Sequence, residues 1–101
     1  MIPLRFVDDY PEVDFELDAF GASSKDELLA RLGRALRLPP YFGNNWDALE
    51  ECLRAVDAPT KLVVRGADEL WRTIPRDAAM LAEIVVGLAG EGIPIELVYV
   101  W

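Results

Sequence analysis

The chain has 101 residues and sets 18 acidic against 10 basic side chains, a net charge of −8. That length holds one domain with one modest core, and a hydrophobic content of 52% is too high for a disordered acidic tail. The charge disfavours nucleic-acid backbones and anionic membranes as partners and favours a basic protein.

Residues 4–7 read as a short strand of open status, followed by a turn through Asp8, Asp9, Tyr10 and Pro11. Residues 13–18 alternate strictly. Val13, Phe15 and Leu17 point one way; Asp14, Glu16 and Asp18 point the other, which predicts a strand with a solvated acidic face suited to guarding a sheet edge. Ser24 and Glu27 have capping-box spacing and open a helix whose inner face is Leu28, Leu32, Ala35 and Leu36. Pro39 and Pro40 are expected to stop it. Residues 39–45 form a loop, and Asn44 or Asn45 is the expected N-cap of a second helix over residues 46–56. Its apolar stripe is Trp46, Leu49, Leu53 and Val56.

Residues 61–65 predict a β-branched strand, and residues 67–74 a short helix with Asp68 and Glu69 in its first turn. Pro75 suits the first position of a longer helix that turns Leu81, Ile84, Val85 and Leu88 inward and ends at Gly90 or Gly92. Residues 93–101 read as a final strand, nearly all apolar from Leu97 onward, as expected when both faces are covered. Strands alternating with helices predict an α/β domain, with parallel strands joined by right-handed helical crossovers.

The chemistry is limited by what is missing. There is no histidine, which excludes Ser-His-Asp, Cys-His and His-based zinc sites. Cys52 is the sole cysteine, so no internal disulfide forms, and a reducing cytoplasm suits the chain. No apolar run approaches the roughly 20 residues of a membrane helix, and the first residues do not read as a secretory signal. Gly87, Gly90 and Gly92 end a helix rather than begin one, so they make no phosphate loop.

The informative stretch is residues 38–57. Asp47, Glu50, Glu51 and Arg54 fall at i, i+3, i+4 and i+7 and share one helical face. One reading is a solvated face opposite the core stripe, with Arg54 pairing to Glu50 or Glu51. A second is a binding edge, made with Tyr41, Phe42 and Gly43 of the rigid preceding loop. Trp46 begins the apolar stripe and reads first as core. A third reading, a carboxylate or metal-dependent enzyme built on Asp47 and Glu51, lacks a means to activate water. Cys52 reads as a buried, inert thiol.

Leu38-Pro-Pro-Tyr-Phe-Gly-Asn-Asn-Trp-Asp-Ala-Leu-Glu-Glu-Cys-Leu53 resembles the signature of the barstar family, intracellular inhibitors of a secreted bacterial ribonuclease. The family pattern is Leu-Pro-x-Tyr-Tyr-Gly-x-Asn-x-Asp-Ala-Leu-x-Asp-Cys-Leu. The similarity extends more weakly over residues 13–99. The resemblance implies a two-layer fold: a three-stranded parallel sheet, with residues 4–7 as a candidate extra strand, packed with about four helices. Residues 1–12 would be a leader and residues 13–101 the domain. It implies a cytoplasmic binding protein and not an enzyme, without metal or cofactor. Monomeric when free, it would block the active site of a basic ribonuclease 1:1. The contact residues carry over to Tyr41, Phe42, Gly43, Asn45, Trp46, Asp47, Glu50 and Glu51, with Glu51 in the place of the main inhibitory aspartate. Three departures stand out: Glu50 replaces a tryptophan, Trp46 replaces a leucine, and Gly87 falls near a later contact glutamate. A different basic toxin is the alternative target.

Overall fold

The computed structural model describes residues 4–7, 15–38 and 45–100. In chain order the elements are β1 (Leu4–Val7), β2 (Phe15–Asp18), α1 (Lys25–Ala35), α2 (Trp46–Leu53), β3 (Thr60–Arg65), α3 (Ala67–Thr73), α4 (Pro75–Gly90) and β4 (Ile95–Val100). The strands form one sheet in the order β1-β4-β3-β2, and each pairing is parallel. The candidate strand near the start is therefore present. It pairs with β4, Leu4 opposite Leu97 and Val7 opposite Val100, and gives the sheet a fourth strand.

The topology dictates the layers. From β2 through β3 to β4 the chain steps one strand at a time in a single direction, with two helices in each crossover. Right-handed crossovers in one direction stack their helices on one face of the sheet. The core agrees. Leu17, Leu62, Val64, Ile95, Leu97 and Tyr99 from one sheet face join buried residues of all four helices in a single cluster. Val63 and Val98, which the pleat turns to the other face, are also fully buried. The continuous apolar run of β4 thus matches a strand covered on both sides.

The helix boundaries show which local signals win. Ser24 caps α1 by accepting from the Glu27 N–H at 3.2 Å. Only half of the expected box forms, because the Glu27 carboxylate turns to Arg31 Nη2 at 2.6 Å. The helix stops at Ala35, before the prolines can act. Arg37 takes a left-handed φ of 56°, and its N–H donates to Arg34 O while that of Leu38 donates to Gly33 O. Those two bonds make a Schellman stop, normally built on glycine. The end of α4 has the same pair of bonds, from Gly92 to Ala89 O and from Ile93 to Leu88 O, with Gly92 at φ 93°. Of the two expected glycines, Gly92 is therefore the left-handed stop.

β2 lies at a sheet edge, as its acidic face suggested. Arg31 on α1 reaches over its end and donates to the Asp18 and Phe20 carbonyl oxygens. Across the strands Arg65 Nη1 sits 3.3 Å from Glu16 Oε1, and its guanidinium lies over the Phe20 ring. The same ring covers Gly66, where a Cβ would come within 2.9 Å of it.

Candidate partner-binding site

α2 is fixed from both ends and from beneath. At its start the Asn45 side chain accepts from the Ala48 N–H at 2.7 Å, the N-cap bond expected of a residue in extended conformation. Beneath it, Leu49 and Leu53 are buried in the core, and Trp46 and Val56 pack partly buried against the same cluster. The helix is shorter than the apolar stripe implied. It ends at Leu53, and the chain continues through the tighter bonds Ala55 N–H to Cys52 O and Val56 N–H to Leu53 O. The expected stripe therefore survives, its last member carried by a 3₁₀-like turn rather than by the helix.

The opposite side of α2 carries the charge. Asp47 and Glu51, one turn apart, are exposed, and neither pairs with a cation among the described residues. Asp47 stands in the first turn, where the helix dipole favours a carboxylate. Glu50 is half-buried, with its Oε1 3.8 Å from Arg54 Nη2. Arg54 does not pair with Glu51. Its closer partner is Glu91, at the C-cap of α4, whose Oε1 accepts from Arg54 Nη1 at 2.7 Å. That bond, with the attraction behind it, holds the Glu91 carboxyl below the usual carboxylate range and pushes the Arg54 guanidinium higher.

Of the expected contact residues, Asn45, Trp46, Asp47, Glu50 and Glu51 come together on α2 and its cap. Tyr41, Phe42 and Gly43 lie outside the described residues. Cys52 is half-buried and not fully enclosed, because its side of α2 borders the core without entering it. Sequence reasoning missed Glu91. It stands 37 positions from Arg54, and no local pattern joins the two; only the packing of α2 on α4 does.

The fold and this face define a class: a small acidic parallel α/β domain with a short, well-anchored helix whose outer carboxylates Asp47 and Glu51 pair with no cation among the described residues. No cluster of metal-ligating side chains occurs among the described residues, and no helix among them is long and apolar enough to cross a membrane. A family model described as Barstar (barnase inhibitor) matches residues 13–99. The chain belongs to that family, which is one of ribonuclease inhibitors and not of enzymes. The match runs from just before β2 to Tyr99 in β4 and leaves β1 outside it. No curated protein matches the chain.

Proposed function

We propose that this protein inhibits a basic microbial ribonuclease by inserting the outer face of α2, with the loop before it, into the enzyme's active site. One observation carries the reading: in a family of barnase inhibitors, Asp47 and Glu51 stand exposed and unpaired among the described residues, on a helix held in place by Leu49, Leu53 and the Asn45 cap. A ribonuclease must be positive where it holds phosphate. A carboxylate on a rigid helix takes the place of that anion and accepts charge-assisted bonds from the enzyme's cations. Because the core contacts and the cap already order the helix, little backbone freedom is lost on binding. The net charge of −8 speeds encounter, and close packing of Tyr41, Phe42 and Gly43 slows release.

In this reading Asp47 and Glu51 meet the enzyme's cationic centre, and Asn45, Trp46 and Glu50 complete the contact. The complex is 1:1, the free inhibitor is a monomer, and residues 13–101 form the working domain behind a leader of residues 1–12. The protein acts in the cytoplasm, protecting the cell that makes the enzyme before export. Glu50, a charge at the position where barstar has a tryptophan, points to a target surface with a cation opposite it. Replacing Glu51 by alanine should weaken the complex with a barnase-type ribonuclease by at least roughly 2 kcal/mol, as for a central buried charge. Titration calorimetry gives the affinity and urea unfolding the stability, which should stay near that of the parent. Undiminished affinity in the Glu51→Ala protein removes Glu51 from the interface.

A further inference from the structure

Arg54 is the one cation on the carboxylate face of α2 among the described residues. By helical spacing it has two anionic neighbours, Glu50 at i−4 and Glu51 at i−3, and a long flexible stem with which to reach either. The guanidinium instead leans towards α4: its hydrogen bond goes to Glu91, at the C-cap of α4, at 2.7 Å, while its other terminal nitrogen keeps only a loose ion pair with Glu50 at 3.8 Å and it does not pair with Glu51. Both partners of the shorter contact are about half exposed, at 46% and 51%, and pairs so placed add little to stability. Stability is thus a poor explanation for the contact, and its effect on charge placement is the better one.

We propose that Glu91 is a positioning residue for the acidic face: it holds Arg54 on the α4 side, limits it to a loose contact with Glu50, keeps it off Glu51, and so leaves the carboxylates of the face, Glu51 above all, available to a cationic partner. This rests on the reading of α2 as the binding face. Without Glu91, Arg54 swings onto Glu50 or Glu51 and forms the local pair that the helix spacing favours. A displacement of a few ångströms leaves the far field unchanged, yet it lies within a Debye length of the face, about 8 Å in physiological salt, and lowers the local negative potential.

The experiment has two arms. In the first, crystal structures of the parent, Glu91→Gln and Glu91→Asp proteins locate the Arg54 guanidinium. In Glu91→Gln it should close to hydrogen-bond distance of a Glu50 or Glu51 carboxylate oxygen, and in Glu91→Asp it should stay with the carboxylate at position 91. An Arg54 side chain that keeps its parent position in Glu91→Gln overturns the proposal. In the second arm, association with a barnase-type ribonuclease is timed at low salt. Glu91→Gln should slow it about three- to ten-fold, clearly more than Glu83→Gln, which removes the same charge from an exposed site on α4. Adding Arg54→Gln to Glu91→Gln should recover the rate. Equal slowing by Glu91→Gln and Glu83→Gln overturns the proposal. If the parent does not bind the ribonuclease, the inhibitor reading falls, and the first arm still decides whether Glu91 holds Arg54.

Discussion

Two helices stop on a left-handed residue, and only one of those residues is glycine. Gly92 ends α4 at φ 93° without steric cost, whereas Arg37 ends α1 at φ 56° with a Cβ in the way. The left-handed conformation costs an L-residue roughly 1–2 kcal/mol, part of which glycine gives back through its freer unfolded chain. Arg37→Gly is therefore expected to stabilise the protein by about 0.5–1 kcal/mol, seen as a higher urea midpoint at unchanged slope. The sequence pointed to Gly90 or Gly92 because glycine announces this role. It pointed to Pro39 and Pro40 for α1 because prolines announce theirs, and nothing in an arginine says that its backbone will turn left-handed. What settled the matter was the pair of bonds back to Gly33 and Arg34 and the packing of Leu38 on the core.

At the scale of the element, α2 is only eight residues long, below the length at which an isolated helix holds together in water. It exists because Leu49 and Leu53 are buried and Asn45 satisfies an end N–H. Asn45→Ala should cost about 1 kcal/mol of stability, measured by urea unfolding. It should also loosen the first turn around Asp47, seen as faster amide exchange at Ala48, whose N–H it caps. This much of the candidate site was legible in the sequence. The N-cap, the inner stripe and the shared face of Asp47, Glu50 and Glu51 are all set by helical spacing, which is a local property. The ion pair that governs Arg54 was not legible. It depends on where α4 ends relative to α2, and a guanidinium chooses among carboxylates by distance in space. The same limit applies to Arg31, whose bonds to the carbonyls at the end of β2 follow from α1 lying against that edge.

Across the whole molecule, the alternation of parallel strands and helices was legible because periodicity changes cleanly between them, whereas the two-layer arrangement came with the family resemblance. Strand β1 was open because four residues carry little pattern of their own; the ladder to β4 decides it. β4 also holds Tyr99, fully buried and edge-on to Trp71 with ring centroids 6.1 Å apart. Burial pushes its phenol up to about 12, with the Trp71 indole N–H working the other way. An unfolded chain ionises its tyrosines near pH 10. The stability due to the neutral phenol is thus complete below about pH 10 and is lost as pH rises towards about 12, roughly 2–3 kcal/mol in all. Urea unfolding followed from about pH 9 to about pH 12 should show that fall, and Tyr99→Phe should flatten it. The order of the strands has a further consequence, for the timing of folding. β4 is translated after every other described element yet sits between β1 and β3, and Glu91, which holds Arg54, immediately follows α4. A nascent chain lacking those last segments has its two halves of sheet unjoined and its acidic helix unbraced, so a ribosome-bound chain stays immature until nearly all of this sequence has emerged.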